Sequence, residues 1–319
     1  MPEVITSLAG HKKVQQVRRS NAFLRSNLEL FLLALPALIL FFIFSYLPMI
    51  GNIIAFKDFR YDLGIFGSKW VGFENFKFFF SSQDAWRVTR NTVAYGAGFT
   101  LIDTVIAVAV AILLYEITGR KSLKFYQTTM MFPRFLSWVV VSYLSYILLN
   151  PIHGVLNQIV TLLGRDSIDW YSNAKYWPAI LITTQLWKSV GFSVIMYYAA
   201  MMGIDSEMYE AATIDGASWF QKTWHISVPS LVPLISLLTL MAVGNIFKGD
   251  FGLFYQLSRD VGALYPATDI IDTYVFRSLK QNNPGMTTAI TFFQSVVGLV
   301  LITLSNAVIK KFSPENAMF

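Results

Sequence analysis

Residues 28–50 read LELFLLALPALILFFIFSYLPMI, with Glu29 the one charged side chain, and residues 105–114 read VIAVAVAILL. A helix built from either stretch is apolar on every face. A barrel strand crossing a bilayer alternates between lipid and lumen over about ten residues, so these runs exclude a barrel and call for helices. Roughly 20 apolar residues are needed for one helical crossing of the hydrocarbon core. Runs of that kind recur at about 28–50, 90–115, 126–149, 177–201, 229–248 and 287–309, which predicts an all-α, polytopic membrane protein with about six transmembrane helices. Composition agrees: 55% of residues are hydrophobic and only 14% charged, which removes the chain from the soluble enzymes.

A basic tail carrying Lys12, Lys13, Arg18, Arg19 and Arg25 precedes the first span and is expected to stay in the cytoplasm. The apolar run behind it is longer than that of a secretory signal and shows no clear small-residue cleavage site, so it is expected to be retained. Six crossings from an inside start place both termini in the cytoplasm, together with the 116–125 loop and a polar insert at 203–228. Counted over the loops and both tails, basic residues divide almost evenly between the two sides, eleven inside against ten outside. The orientation therefore rests on the tail and on the short loop with Arg120, Lys121 and Lys124. The expected organisation is a cytoplasmic tail over 1–27, a first transmembrane helix over 28–50, an extracytoplasmic segment over 51–87, a transmembrane core over 88–309 and a cytoplasmic tail over 310–319. The net charge of +6 reads as orientation and headgroup contact, because basic residues scattered among apolar spans form no nucleic-acid patch.

Residues that carry chemistry are almost absent. His11, His153 and His225 lie far apart, with no His-Glu-x-x-His spacing for a metal. Zero cysteines exclude disulfides, thiol catalysis and cysteine-held metals. Gly119-Arg120-Lys121-Ser122 lacks the glycine before its lysine and the glycine four residues upstream, so it is not a phosphate loop. No catalytic residue, metal or cofactor is expected on this chain.

Two charges interrupt the spans, Asp103 and Lys188, where each costs about 2.5–3.5 kcal/mol on insertion scales. Both are predicted to face protein or a water-filled path. An interhelical polar pair or a snorkelling lysine explains them more readily than contact with a solute. Uncharged polar and aromatic residues are commoner: Asn91, Thr92, Gln185, Trp187, Tyr197, Asn245 and Gln294. A sugar needs hydrogen-bonding groups for its hydroxyls and aromatic faces for its C–H surfaces, so a candidate substrate path comprises Asn245, Trp187, Gln185, Lys188, Tyr197, Gln294 and Asp103. The same residue types also hold helices together in lipid.

The insert reads as helix, turn, membrane helix. Asp205 is an N-cap, Glu207 sits where the helix dipole favours a negative charge, and Met208 to Ile214 contains few breakers. Gly216 ends the helix, and Pro229 and Pro233 mark entry into the fifth span. Ala211, Ala212, Gly216 and Ala217 are small enough to admit a close partner, with Glu210 and Asp215 as orienting charges. Composition alone leaves an ordinary amphipathic loop equally open.

Glu210-Ala211-Ala212, Asp215-Gly216-Ala217 and Ile226-Ser227-Val228-Pro229 resemble the EAA signature of the membrane subunits of bacterial binding-protein-dependent ABC importers, with Ser206 where many relatives have proline and Val228 where leucine is usual. Leu186 to Phe192, Trp70 to Phe76, Asp272 to Phe276 and Lys310-Lys311-Phe312 are similar to the maltose-permease-related branch, which imports oligosaccharides and polysaccharide fragments. The resemblance covers roughly residues 28–319. It implies the type I importer permease fold in a bacterial cytoplasmic membrane, with the insert as a coupling helix seated in a separate ATPase. Glu210, Ala211, Ala212, Asp215 and Gly216 would be the contact surface, with Ile226 and Pro229 in the connection to the span. It also implies the partners: a second related permease subunit, two cytoplasmic ATPase subunits that hold ATP and Mg, an extracytoplasmic solute-binding protein and a carbohydrate. The aromatic segments 51–88 and 249–286, with Phe59, Tyr61, Trp70, Phe254 and Tyr255, are candidates for touching the binding protein, with packing on the bundle's outer face equally open for any one of them. An ion-coupled carrier would show more buried carboxylates and an inverted repeat, and a membrane enzyme would show a catalytic constellation. A permease for a non-sugar polar solute stays open.

Overall fold

The computed structural model describes residues 27, 28 and 30–312. The basic tail residues Lys12 to Arg25, His11 and most of the 310–319 tail lie outside the described residues. Among the described residues, five uninterrupted helices are long and apolar enough to cross a membrane: Leu30–Phe56, Gln83–Tyr115, Ala174–Met201, Trp219–Gly244 and Pro284–Lys311. They serve below as the first, second, fourth, fifth and sixth spans.

The third span is not the straight helix expected over 126–149. Arg120–Phe135 and Trp138–Leu149 meet at 98°. Pro133 has no N–H to continue the ladder, and Leu136 and Ser137 are extended, with ψ of 134° and 151°. Ser137 then starts the second half as its N-cap, accepting from the Val140 N–H at 3.4 Å. Irregular backbone at membrane depth needs partners for its freed groups. Lys188 of the fourth span supplies one by donating from Nζ to the Arg134 carbonyl at 3.0 Å.

The second and fourth spans make the most extensive helix pair. Small residues bring them together: Ala107 and Ala111 are fully buried against Val194, Tyr197, Met201 and Leu231. Gly191 faces the Met130 carbonyl so closely that any Cβ would overlap it, and this contact seats the first half of the third span on the fourth. The apolar stretch of the first span is unburied, and only its last turns, Leu47–Phe56, lean on the sixth span.

At the end of the bundle opposite the insert, Lys57–Asp58 pairs antiparallel with Lys69–Trp70. The 249–286 segment there is folded into the bundle. Leu253, Leu257 and Leu264 are fully buried with Phe254, Trp177 and Leu181, so of the two readings open for Phe254 the structure takes packing, not contact with a binding protein. Tyr61 and Trp70 are exposed. Asp269, with a side chain that has no exposure, joins the segment to the second span: Arg277 Nη2 and Thr273 Oγ1 donate to Oδ1 at 2.5 and 2.8 Å, and Arg87 Nη2 donates to Oδ2 at 3.0 Å. Burial opposes the Arg277 charge, yet Asp269, Tyr265 and Asp260 hold its pKa above the ordinary guanidinium value.

Candidate functional site

Two regions carry the candidate residues. The first is the insert. Its helix spans Ser206–Ile214; Asp205 accepts from the Glu207 N–H at 3.0 Å as N-cap. The C-terminus closes by a Schellman motif, with Ala217 N–H on the Ala212 carbonyl at 2.9 Å and Gly216 N–H on the Thr213 carbonyl at 3.1 Å. Gly216 sits at φ 77°, a conformation a side chain would strain. Two residues on, the return starts: Ser218 and Gln221 form a capping box, and the chain runs from Trp219 through one π-helical turn, Thr223–Ser227, into the fifth span.

Three side-chain contacts tie this short helix to the bundle, and a fourth joins the spans beside it. Tyr209 Oη and Ser227 Oγ share a hydrogen bond at 2.9 Å, and the Tyr209 ring meets Tyr115 with centroids 5.7 Å apart. Lys222 Nζ donates to Thr213 Oγ1 at 3.3 Å. Trp219 Nε1 donates to Glu116 Oε1 at 2.9 Å, joining the end of the second span to the start of the fifth. The opposite face is free. Glu210, Ala211, Asp215 and Gly216 are exposed, Ala212 is half-buried, and Ile214 is 86% exposed. Ile226 is half-buried and Pro229 exposed on the connection. Sequence reasoning missed Tyr209, Ser227, Glu116 and Trp219 as the brace, because each partner lies beyond the reach of local pattern.

The second region is a cavity of about 200 Å³ between the second, fourth and fifth spans. Thr92, Tyr95 and Thr100 line it from the second span, Gln185 from the fourth, and Asn245, Lys248 and Asp250 from the end of the fifth. Gln185 Oε1 is buried with no hydrogen-bond partner among the described residues. Such an atom is an acceptor available to a hydroxyl donor. Asn245 donates to the Met241 carbonyl at 2.9 Å and also lines an adjoining hollow of about 220 Å³ with Gln294. Gln294 spends its own amide on the Phe247 carbonyl at 2.7 Å. Near it, burial pushes the Asp272 carboxyl above the ordinary carboxylate range, although the Gly249 N–H donates to it at 2.7 Å.

The remaining candidates sit elsewhere. Asp103 faces the fourth span and accepts from Ser189 Oγ at 3.1 Å and Ser193 Oγ at 2.7 Å, which is interhelical packing; it does not pair with Lys188. Tyr197 is 1% exposed within the apolar cluster of the second, fourth and fifth spans. Asn91 is likewise engaged, on the Pro266 and Asp269 carbonyls, while Thr92 stays in the cavity wall with its hydroxyl on the Val88 carbonyl. Trp187 lines a separate hollow of about 450 Å³ between the fourth span and Trp138–Leu149. Lys248 and Asp250 escaped the sequence reading because they follow the fifth span, in a segment whose return to the bundle is not written locally.

The chain matches the family described as "Binding-protein-dependent transport system inner membrane component" over residues 104–314. Protein LplB of Bacillus subtilis is 34% identical over 92% of this chain and 92% of its own length. The polygalacturonan/rhamnogalacturonan transport system permease protein YteP of Bacillus subtilis is 34% identical over 90% of this chain and 89% of its own length. Among solved structures, a chain of a bacterial ABC transporter involved in the import of the acidic polysaccharide alginate superposes with a TM-score of 0.83 and 30% identity, covering 91% of this chain and 97% of that one.

Proposed function

This multi-pass chain belongs to the family of binding-protein-dependent transport system inner membrane components, and from that premise we propose that it is a permease subunit of an ATP-driven importer for carbohydrate, taking oligosaccharides or polysaccharide fragments. The observation that carries the reading is the braced insert. A helix capped at both ends presents Glu210, Ala211, Asp215 and Gly216 outward while its other face is tied through Tyr209–Ser227 to the fifth span. A force applied to such a helix moves the span with it, because no flexible link intervenes. The exposed Ile214 at its end supplies apolar area for a partner.

The partner is a cytoplasmic ATPase, one of two, that holds ATP and Mg; this chain binds no cofactor and performs no catalysis. Closure of the ATPase pair draws the inserts of this chain and a second, related permease subunit together, and the bundles rock between inward-facing and outward-facing states. Both termini lie in the cytoplasm of a bacterial cell, and an extracytoplasmic binding protein delivers the solute to the opposite end, where Tyr61 and Trp70 are exposed. The carbohydrate assignment draws on the names of the relatives and on the polar cavity, in which Gln185 Oε1 and Asn245 meet hydroxyl groups.

The test is Glu210→Ala and Gly216→Trp in the complete complex reconstituted into liposomes. Both variants are expected to lose ATP-driven oligosaccharide uptake and to retain less ATPase subunit on purification. Unchanged uptake together with unchanged ATPase association would overturn the coupling role.

A further inference from the structure

The break in the third span has an electrostatic consequence. Lys188 is midway along Trp177–Met201, and its Nζ bonds to the Arg134 carbonyl, so the break brings Arg134 to the same depth. The Lys188 ammonium lies over the Trp138 ring at 5.1 Å, and the Arg134 guanidinium over the Phe192 ring at 5.3 Å. Among the described residues neither cation forms an ion pair with a carboxylate. Asp250 is the carboxylate within electrostatic reach of Lys188, and it is engaged by Trp138 Nε1 at 2.9 Å. Two cations against one carboxylate leave this place net positive.

A cation at such depth is costly in lipid, so a pair of them does not face hydrocarbon. Their side must open on the aqueous path or on protein. It also adjoins the polar cavity: Asp250 is common to both, and Gln185 stands one turn from Lys188 on the fourth span. On the other side lies the hollow lined by Trp187, Thr183 and Thr184. Rings and hydroxyls suit a sugar, while guanidinium and ammonium groups in excess of the one carboxylate near them suit a further carboxylate.

We infer that the transported carbohydrate is anionic, a uronate-containing oligosaccharide, with Arg134 and Lys188 receiving its carboxylates at the break in the third span. The inference rests on the carbohydrate-permease reading above. It agrees with the polygalacturonan and acidic-polysaccharide descriptions of two of the similar proteins.

The experiment uses the complete importer in liposomes with ATP and its binding protein. Uptake of a galacturonate trisaccharide is compared with uptake of the same trisaccharide after its carboxyls are reduced to neutral alcohols. In the double variant Arg134→Gln, Lys188→Gln the acidic-to-neutral uptake ratio is expected to fall by about tenfold or more, because a site built for a charged group discriminates strongly. The charge-preserving pair Arg134→Lys, Lys188→Arg keeps both positive charges and so is expected to retain more of the ratio than the neutral pair, a fall of about threefold at most, because the attraction to the carboxylate is a matter of charge. An equal fall for both sugars, or loss of the neutralised variant from the assembled complex, would assign the cations to packing or to a partner's carboxylate and overturn the inference. A wild-type importer that takes only the neutral trisaccharide overturns it too, with the permease reading intact. No ATP-dependent uptake of any oligosaccharide by the wild type sinks both.

Discussion

Substituting Asp269→Asn should be strongly destabilising, because it neutralises a buried carboxylate that two guanidinium groups share. The carboxylate has no solvent exposure and is flanked by Arg87 and Arg277, whose side chains are 29% and 17% exposed. Asparagine keeps the shape but leaves two guanidinium groups around a neutral amide whose NH2 must point at one of them. Removing one partner of a buried ion pair costs about 3–5 kcal/mol. The low end applies here, because Arg87 also holds Asp84 at 2.8 Å and Arg277 holds Asp260 at 3.1 Å. A loss of about 3 kcal/mol lowers the folded-to-unfolded ratio about 150-fold, at one decade per 1.36 kcal/mol. The shift is about 2–4 °C per kcal/mol for 150–250 residues and smaller for a longer chain, so Tm falls by about 6 °C, the low end of that scale. Thermal unfolding of the purified complex in detergent, followed by size-exclusion chromatography, measures it. Asp62→Asn is the control: its pair with Arg60 is 59–63% exposed, and such pairs contribute about 0–1 kcal/mol. A Tm for Asp269→Asn within the scatter of that control would refute the hub.

Two further outcomes follow from the same contacts. Replacing Ser189 and Ser193 together by alanine strips Asp103 of both hydroxyl donors; an unsatisfied buried polar group costs about 1–3 kcal/mol, more when charged. The double variant is expected to lower the yield of assembled complex, whereas Asp103→Asn retains uptake, and transport assays of both check whether Asp103 belongs to packing. Burial raises the Asp272 carboxyl above its unfolded value of 3.8, so the folded chain holds the proton to higher pH. Stability from this group is then fully present below that unfolded value and is lost as pH climbs through the raised one. The denaturation midpoint should decline over that window in the wild type and lose this slope in Asp272→Asn; an identical pH profile for the two would refute it.

Much of the architecture was legible because it is written in short-range chemistry. Runs such as 28–50 and 105–114 have no polar face, so a membrane is the environment they fit, and helices follow from the need to satisfy every backbone group internally. The insert helix was equally local: Asp205 caps its own helix two residues on, and Gly216 takes the positive φ that ends it. What escaped was whatever two distant segments decide jointly. Pro133 lies in an apolar run that hydropathy reads as continuous, and the 98° turn becomes tenable because Lys188, fifty-four positions away, satisfies the Arg134 carbonyl. Phe254 reads as an outer-loop aromatic and is core, because Asp269 draws its segment onto Arg87.

By itself the sequence determined the membrane environment, the helical class and the capped insert, since each depends on residues within a few turns of one another. Only the tertiary structure decided which polar residues share a cavity. Thr92, Gln185 and Asn245 come from three helices and converge on one space, while Asp103 and Tyr197, of similar polarity and depth, turn into helix packing. The physical reason is that a side chain's partner in lipid is set by the rotation and crossing of whole helices. Contacts such as Gly191 on the Met130 carbonyl govern those crossings, and they link residues sixty-one positions apart in the chain.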